Sequence, residues 1–399
     1  MKIVQVNTVC GTGSTGKIAV ALHNISIANG HESYIAYGRG TCTDSIPSYK
    51  IGNICDFFTH VLINFFHGKS GFGSNTVTKR FLKWLDTIQP DILHLHNLHG
   101  FYINIELLFD YIKKKKIPVV LTLHDCWTFT GQCAHFDYVN CNKWKTQCNH
   151  CPIFRTSYPY SLFKDNSIQN YINKKKIFTD IPNMIIVTPS DWLSGLISDS
   201  FLSNYPVKTI PNGIDLQIFQ PYPTPIVPQK KIILGVANVW TERKGYRYFL
   251  DLAKAITKQY QIVLIGVSKK QKQKLQKSHP EIISIMRTQN QQELAQWYSK
   301  AFVYVNPTLE DTFPTTNLEA LACGTPVITF DTGGSPESIP SNCGIVVEKG
   351  DLSGLVSAIL QLEESEYNFK KTCRSQAMHY QSQLQYSKYL KLYNDLLYP

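Results

Sequence analysis

The stretch DTFPTTNLEALACGTPVITF, residues 311–330, decides the fold class of this chain. It places carboxylates at Asp311 and Glu319, carries a helix-like run up to Gly-Thr-Pro, and continues into an apolar segment. The apolar residues 302–305 before it are typical of a parallel strand, so the order predicts strand, loop, helix and strand. Ligands bind at the carboxyl edge of such sheets, where a helix start also attracts phosphate. We therefore expect an α/β fold with both carboxylates at a ligand site.

The same letters also allow a purely structural interpretation. Residues 316–319, Thr-Asn-Leu-Glu, fit a capping box in which Glu319 bonds back to the helix start. Asp311 would then be an ordinary loop acid. Because this spacing is common, the rest of the chain has to decide between capping and ligand binding.

Length and composition describe an ordinary globular protein of two domains. The chain has 399 residues, of which 43% are hydrophobic and 17% charged. The N-terminus runs directly into a strand-like KIVQVN, so we expect no signal peptide. Residues 57–66 come nearest to a membrane span but are too short and contain His60. We expect a cytoplasmic protein.

The net charge of +11 is concentrated in one part of the chain. Residues 111–176 hold eleven Lys and Arg against three acids. The runs at 113–116 and 174–176 would attract anionic lipid headgroups or polyphosphates, although solvated helix ends are the commoner explanation of each run. No nucleic-acid motif accompanies the charge, so we expect no nucleic-acid partner and leave an anionic membrane surface as a hypothesis.

Strands and helices alternate through both halves of the chain, which predicts two doubly wound, Rossmann-like units with a site in the cleft between them. A helix is predicted from Gly16 to Asn29. The proline-rich residues 220–231 read as a linker, and residues 351–398 are helical by pattern. The predicted domains are 1–205, with a cysteine-rich loop at 126–151, then 206–375, and a terminal helix at 376–399 that packs back on the first domain.

A glycine loop, CGTGSTGKI at residues 10–18, follows the first predicted strand and opens a helix. Its backbone amides, around Gly13 and Gly16, suit an anion, and Ser14 or Thr15 can cap the helix. Ile18 stands where a P-loop needs Ser or Thr for magnesium, so the P-loop interpretation fails. The dinucleotide-binding fingerprint is not kept strictly either, so the loop alone is weak evidence for a ligand.

A second candidate is ANVWTERKGY, residues 237–246, which follows the first strand of the second half. Arg243 and Lys244 stand just before Gly245 at a helix start. Two cations there are electrostatically unfavourable without an anion. They can neutralise a diphosphate that the helix start also attracts, which favours a functional interpretation.

Histidines gather near strand ends in the first half. His94 and His96 share one face of their strand, and buried, structurally bonded histidines are the commoner outcome there. His124 precedes Asp125 at the end of another strand. A histidine in that place can bond a sugar hydroxyl or move a proton near neutral pH, so we select His124 as functional.

Four cysteines fall close together in the basic region. In a reducing cytoplasm disulfides are disfavoured, which leaves a structural zinc or free thiols. The pattern has one C-x-x-C pair and is incomplete as a zinc ribbon. Cys126 is near enough to replace one ligand. The candidate ligands are Cys133, Cys141, Cys148 and Cys151.

With these residues in view, the chain resembles the retaining glycosyltransferases of the GT-B fold, the family 4 type. The paired carboxylates within PTLEDTFPTTNLEALACGTPVI carry most of the resemblance. IPNGID at 210–215, the Arg-Lys-Gly at 243–245, the glycine loop and TGGSPE at 332–337 support it. The resemblance covers nearly the whole chain and implies a GT-B fold of two Rossmann-like domains.

The resemblance also implies roles for individual residues. Glu319 would hold the nucleotide ribose, Asp311 would face the donor sugar, and Lys244 would bind the diphosphate, which Gly16 approaches from the other domain. His124 would contact the sugar. The family's first carboxylate is usually Glu, so Glu310 competes with Asp311. The usual basic residue before the lysine is replaced by Asn238 or Val239, for which Arg243 compensates.

What the resemblance implies overall is retaining transfer of a hexose from a nucleotide-diphosphate sugar, with uridine diphosphate favoured, to a glycan or lipid-linked glycan in cell-surface polysaccharide synthesis. No cofactor is needed for the chemistry, since cations and helix amides can stabilise the leaving group. A noncatalytic nucleotide-sugar or glycan-binding protein is the alternative from another class. Another GT-B sugar enzyme, such as an epimerase or a phosphorylase, is the alternative among enzymes.

Overall fold

The computed structural model describes residues 1–223, 229–365 and 368–398. It divides into two compact units, one of Met1–Pro211 with Gln385–Pro399 and the other of Asn212–Leu384. Each unit is an α/β sandwich with its own parallel sheet. Residues 224–228 of the predicted linker lie outside the described residues.

The first unit is built on a seven-stranded sheet in which every neighbouring pair is parallel. Apolar runs form its central strands, which are buried on both faces as expected of a covered parallel sheet. The strands are β1 (Lys2–Val9), β2 (Glu32–Arg39), β3 (Ser48–Lys50), β4 (Ile92–Leu95), β5 (Val119–Thr122), β6 (Met184–Thr188) and β7 (Val207–Thr209). Their order across the sheet is β3-β2-β1-β4-β5-β6-β7.

Six helices connect these strands. They are α1 (Gly13–Ala28), α2 (Ile54–His67), α3 (Asn75–Ile88), α4 (Ile105–Lys115), α5 (Ser167–Phe178) and α6 (Asp191–Ser198). The helix predicted from Gly16 begins earlier, at Gly13, with Thr12 as its N-cap and no side-chain cap bond. Ser14 and Thr15 therefore lie inside the first turn, and the prediction that one of them caps α1 is wrong.

The second unit holds a six-stranded parallel sheet with the order β10-β9-β8-β11-β12-β13. Its strands are β8 (Lys231–Val236), β9 (Tyr260–Ile265), β10 (Ile283–Ile285), β11 (Val303–Asn306), β12 (Val327–Phe330) and β13 (Gly344–Val347). Its helices are α7 (Tyr246–Ala255), α8 (Lys269–Ser278), α9 (Gln291–Lys300), α10 (Thr315–Ala322), α11 (Leu352–Glu363) and α12 (Phe369–Met378).

A last helix, α13 (Ser382–Leu397), joins the first unit through its tyrosines. Tyr389 and Tyr393 are buried in a cluster with apolar residues of β1, β5 and α1. His94 of β4 fixes the helix, since its Nδ1 lies 2.6 Å from the Tyr393 hydroxyl and its Nε2 lies 2.8 Å from Thr122 Oγ1. His94 thus takes the buried, structural role that the sequence favoured for it.

The strand order reverses once in each sheet, between β1 and β4 in the first and between β8 and β11 in the second. Loops that leave the carboxyl ends of such neighbouring strands diverge and open a crevice, which is where doubly wound sheets bind ligands. The glycine loop follows β1, and the loop with Arg243 and Lys244 follows β8. Among the described helices, none combines the length and apolarity that crossing a bilayer requires.

Candidate active site

Two loops at the switch point of the second sheet pack directly on each other. One follows β8 and ends at Gly245, and the other follows β11 and begins at Pro307. Gly245 has a φ of +75°, and a Cβ there would come within 2.0 Å of the Pro307 carbonyl oxygen, so glycine is required. The Leu309 amide donates to the Arg243 carbonyl over 2.8 Å. This packing fixes the cations of the first loop beside the acids of the second.

Each cation of the first loop meets one acid of the second. Lys244 Nζ lies 2.5 Å from Asp311 Oδ2, with 28% and 16% of the two side chains exposed. Arg243 Nε lies 3.7 Å from Glu310 Oε1, and its Nη1 donates to the Glu310 carbonyl over 3.0 Å. The predicted donor-binding residues Arg243, Lys244, Glu310 and Asp311 thus lie together. Of the two acids, Asp311 is more exposed to solvent than Glu310, which is nearly buried.

Glu319 lies on α10 and bonds to a buried phenol. The Tyr298 hydroxyl donates to Glu319 Oε2 over 3.0 Å. Burial and the neighbouring Glu319 carboxylate raise the pKa of Tyr298, so the phenol stays protonated as the donor. Burial also raises the pKa of Tyr304 on β11, and the negative charges of both Glu319 and Asp311 add to it. Both predicted carboxylates therefore lie close enough to Tyr304 of β11 to raise its pKa.

The capping-box interpretation of residues 316–319 is wrong. Pro314 occupies the N-cap position, α10 begins at Thr315, and no side chain caps it. Because proline fixes the backbone that leads into the helix, Thr316 falls inside the first turn and cannot act as the cap. Glu319 is one turn further on, with its carboxylate held by Tyr298.

A buried polar network that sequence reasoning missed supports α10. Asn317 Nδ2 donates to the Ser335 carbonyl and hydroxyl over 3.1 and 3.2 Å, and Asn306 Nδ2 donates to Asn317 Oδ1 over 2.8 Å. Asn306 and Asn317 are both buried. The signal was present, since Asn317 lies between the two carboxylates and Ser335 belongs to TGGSPE. Satisfied buried networks of this kind fix the position of the elements they join.

The TGGSPE segment also packs against the loop that carries Asp311. Gly333 has a φ of +56°, and a Cβ there would lie 1.9 Å from the Asp311 carbonyl oxygen. The Gly334 amide donates to that same oxygen over 3.1 Å. The two glycines thus bring the backbone after β12 against the loop that carries Asp311, which holds the carboxylate in place.

The glycine loop of the first unit presents its backbone outward. Residues 11–14 are exposed, and Gly11 and Gly13 have φ values of +69° and +64°. Gly16 is buried, and its carbonyl accepts from the Gly11 amide over 3.1 Å. A Cβ on Gly16 would come within 3.1 Å of both Gly11 N and Val9 Cγ2. Gly16 therefore closes the loop, and Gly13 lies exposed at the start of α1.

His124 belongs to a chain of hydrogen bonds that fixes its tautomer. Gln5 Nε2 donates to the Ala19 carbonyl, so Gln5 Oε1 accepts from His96 Nε2 over 3.2 Å. Neutral His96 must then accept at Nδ1, which receives the proton of His124 Nε2 over 3.1 Å. His124 Nε2 therefore carries the ring proton, and the neutral ring is the Nε2–H tautomer.

Burial lowers the pKa of His124 to about 4 and that of His96 well below its ordinary value. Both rings are neutral near pH 7. The sequence allowed His124 either to bond a sugar hydroxyl or to move a proton near neutral pH. The lowered pKa disfavours proton transfer and leaves hydrogen bonding as the role that this environment suits.

A neighbouring pair, missed as such by sequence reasoning, lies beside His124. His99 Nε2 is 2.7 Å from Asp125 Oδ2, and Asp125 Oδ1 accepts from the Trp127 amide over 2.9 Å. Burial would raise the pKa of Asp125, but the His99 ring and the amide outweigh burial and the pKa is lowered. Asp125 is therefore a buried carboxylate, and it fixes the loop that leaves β5.

The four cysteines selected as metal ligands line one small cavity with Trp144 and Phe136. All four are free thiols, whereas a disulfide joins Cys10 and Cys42, against the expectation of a chain without disulfides. A hydrogen bond between Cys133 and Cys151 raises the pKa of Cys133, with burial adding to it, and lowers that of Cys151. Within residues 1–223, 229–365 and 368–398, no three His, Cys, Asp or Glu side chains are grouped as metal ligands. Zinc binding stays a prediction.

The fold and the matched sequence families agree on the class of this chain. A family model described as Glycosyltransferase Family 4 matches residues 26–218, and one described as Glycosyl transferases group 1 matches residues 230–365. The crystal structure of Anabaena HepE in complex with UDP-glucose superposes with a TM-score of 0.67 at 12% identity, over 98% of this chain and all of that one. The class that fold and site define is thus the GT-B α/β proteins.

Two curated relatives are similar to about half of this chain. WcaC of Escherichia coli, described as a colanic acid biosynthesis glycosyl transferase, is 27% identical over 54% of this chain and 55% of its own length. The N,N'-diacetylbacillosaminyl-diphospho-undecaprenol alpha-1,3-N-acetylgalactosaminyltransferase of Campylobacter jejuni is 24% identical over 43% of this chain and 46% of its own. This chain thus spans about half the length of these relatives. It belongs to the group 1 glycosyltransferases, of the family 4 type.

Proposed function

We propose that this protein transfers a hexose from a nucleoside-diphosphate sugar to a glycan or lipid-linked glycan, with retention of the anomeric configuration. The observation that carries the proposal is the pairing of Lys244 with Asp311 and of Arg243 with Glu310 at the switch point of the second sheet. Cations at this place are preorganised for a diphosphate, and the acids beside them can face the attached sugar.

The pairs suggest how the chain handles the donor. Asp311 balances the charge of Lys244. A diphosphate that binds Lys244 takes over this role and releases the Asp311 carboxylate toward the sugar. Lys244 and Arg243 then stabilise the charge that grows on the departing nucleoside diphosphate, so we propose that the chemistry needs no divalent cation. Glu319, held by Tyr298, is positioned for a ribose hydroxyl.

We propose a supporting role for His124. Its ring is neutral near pH 7, which suits hydrogen bonding to a hydroxyl of the transferred or accepting sugar. In this role His124 orients the sugar and transfers no proton.

The donor and pathway are proposed from the relatives. HepE was crystallised with UDP-glucose, which favours a uridine diphosphate donor here. WcaC is described by colanic acid biosynthesis, and the Campylobacter enzyme by a diphospho-undecaprenol substrate, which favours envelope polysaccharide synthesis on a lipid-linked acceptor. Such an acceptor would place the protein in the cytoplasm at the inner face of the membrane.

The proposal is tested by incubating purified protein with a panel of nucleotide sugars. Thermal stabilisation reports binding, release of nucleoside diphosphate reports turnover, and nuclear magnetic resonance of the product reports its anomeric configuration. We expect one donor to stabilise the fold and to be turned over slowly even without acceptor. Binding without turnover on any acceptor would instead identify a noncatalytic binding protein, and an inverted product would contradict the retaining mechanism.

A further inference from the structure

Helix α2 carries its apolar residues on the exposed face and its polar residues on the buried one. Four large apolar side chains, each four positions from the next, are 64%, 56%, 55% and 47% exposed: Ile54, Phe58, Leu62 and Phe66. On the opposite face His60 and Asn64 are buried. A surface helix of a globular protein has the reverse arrangement.

The buried polar residues fix this orientation. His60 Nε2 accepts from the amides of Gly71 and Gly73 over 3.3 and 3.1 Å, and its Nδ1 lies 2.9 Å from Ser74 Oγ. Asn64 Nδ2 donates to the Tyr160 carbonyl over 2.8 Å. Rotating α2 to bury its apolar face would break these bonds, and lost bonds to buried polar groups are costly.

Sequence signals also define both ends of α2. Asn53 forms a capping box with Asp56, and Gly68 ends the helix in the left-handed conformation with a φ of +62°. The helix is therefore complete in the free protein. The exposed apolar face of α2 therefore forms without a partner.

A neighbouring loop extends the exposed face. The Leu162 amide donates to the Phe65 carbonyl over 3.1 Å, which holds the loop against the end of α2. The Phe163 ring, 63% exposed, stacks on Phe66 with centroids 5.1 Å apart and planes 10° from parallel. We call the continuous exposed surface the apolar ridge; it consists of Ile54, Phe58, Leu62, Phe66, Leu162 and Phe163.

Cations border the apolar ridge. Lys69 and Lys164 are exposed at its end, where the Lys164 carbonyl comes close to Gly68. Arg39 lies over the Phe57 ring of α2, 5.3 Å from its centroid, with its Nε buried. The nearby acids are already engaged, since Asp56 caps the helix and Asp165 accepts from the amides of Cys151 and Ser167.

We propose that the apolar ridge enters the interface of a lipid bilayer that contains anionic lipids. Contiguous exposed apolar residues mark an interaction surface, and a helix with one apolar face and flanking lysines suits the boundary between headgroups and acyl chains. Acyl chains accept protruding rings without a matching groove, while headgroup phosphates pair with the exposed Lys69 and Lys164. The inference deepens the proposed function, on which it rests only in that a lipid-linked acceptor lies at a membrane.

The test is sedimentation of the full chain with vesicles of phosphatidylethanolamine and phosphatidylglycerol, compared with vesicles of phosphatidylcholine. The ridge variant Phe58→Gln with Leu62→Gln keeps good helix formers. The loop variant Phe163→Gln tests the same surface outside the helix. The matched control is Ile27→Gln with Leu360→Gln, which removes apolar side chains that are 48% and 45% exposed elsewhere.

We expect the wild type to bind the anionic vesicles and to be released by high salt. The ridge double variant should bind roughly ten- to hundredfold more weakly, Lys69→Gln with Lys164→Gln roughly tenfold more weakly, and the control as the wild type does. Equal vesicle binding by wild type and ridge variant would overturn the inference. So would a wild type that binds no vesicles but forms a dimer that the ridge variant abolishes.

Donor binding in the absence of lipid separates this inference from the proposed function. The ridge variants should keep the thermal stabilisation that a nucleotide sugar gives to the wild type. Vesicle binding without any nucleotide-sugar binding would leave the ridge standing and remove the glycosyltransferase proposal. Nucleotide-sugar turnover without vesicle binding would do the opposite.

Discussion

Lys244 Nζ lies 2.5 Å from Asp311 Oδ2, so the lysine proposed to bind the donor diphosphate is paired with the carboxylate proposed to face the sugar. The pair joins two loops that Gly245 and Pro307 hold together. A diphosphate therefore competes with Asp311 for Lys244. The two residues should respond in opposite ways when nucleotide binding and sugar transfer are measured separately.

Asp311→Asn should leave nucleoside-diphosphate binding unchanged or tighten it a few-fold, since the competing charge on Lys244 is removed. Transfer should fall by roughly 10²- to 10³-fold because the carboxylate no longer faces the sugar. Calorimetric titration with uridine diphosphate and steady-state turnover measure the two effects. Asp251→Asn is the control, because Asp251 pairs with the exposed Lys254 of α7. Parallel losses of binding and turnover in Asp311→Asn would contradict the competition.

Gly333→Ala should disrupt donor binding, because its Cβ would lie 1.9 Å from the Asp311 carbonyl oxygen at a φ of +56°. We expect a loss of stability of about 2 kcal/mol together with weaker nucleotide binding. Gly195→Ala is the control: nothing lies within 4 Å of its Cβ, and Gly195 is inside α6. That control should be neutral or more stable by about 0.5–1 kcal/mol. Thermal unfolding with and without nucleotide checks both.

Much of the architecture could be predicted from the sequence because it depends on local patterns. The apolar runs at 2–7 and 302–305 and the apolar segment that ends at residue 330 form parallel strands as expected, as β1, β11 and β12. Arg243 and Lys244 precede a helix, as their position before Gly245 indicated. These features need only neighbours within a few residues.

The parts of the site that could not be predicted depend on contacts between residues that are distant in the sequence. No local pattern tells that Arg243 pairs with Glu310 while Lys244 pairs with Asp311, because Gly245 and Pro307 decide this when the two loops pack. The capping box predicted at residues 316–319 does not form, because Pro314 is the N-cap and α10 begins at Thr315. The sequence indicated only a short apolar run at residues 57–66. That the apolar face of α2 is exposed depends on His60 and its distant partners.

Stability should fall as the medium is acidified, and His60 should contribute. Burial lowers its pKa from 6.5 to about 4 in the folded chain. The unfolded chain therefore takes up the proton first, so the stability from His60 is complete above pH 6.5 and is lost as the pH falls toward 4. The slope is about 1.4 kcal/mol per pH unit for each such group. Urea unfolding across this range should show a shallower slope for His60→Gln, whereas exposed His67→Gln should match the wild type. Equal slopes in all three would contradict a buried, neutral His60.

The four cysteines around one cavity are a separate prediction. If Cys133, Cys141, Cys148 and Cys151 hold zinc, elemental analysis should find about one zinc per chain. Chelation should then lower the melting temperature, and Cys148→Ser should lower the zinc content, while Cys55→Ser, at the exposed start of α2, should not. A folded wild type without zinc would remove the prediction and leave a cluster of thiols.

The central claim is that Lys244 and its partners bind a nucleoside-diphosphate sugar. The most direct measurement is calorimetric titration of a panel of nucleotide sugars into the wild type, into Lys244→Ala, and into Lys254→Ala as the exposed control. We predict that one donor binds the wild type and the control equally and binds Lys244→Ala roughly ten- to hundredfold more weakly. Failure of every nucleotide sugar to bind the wild type, or equal affinity in Lys244→Ala, would contradict the claim.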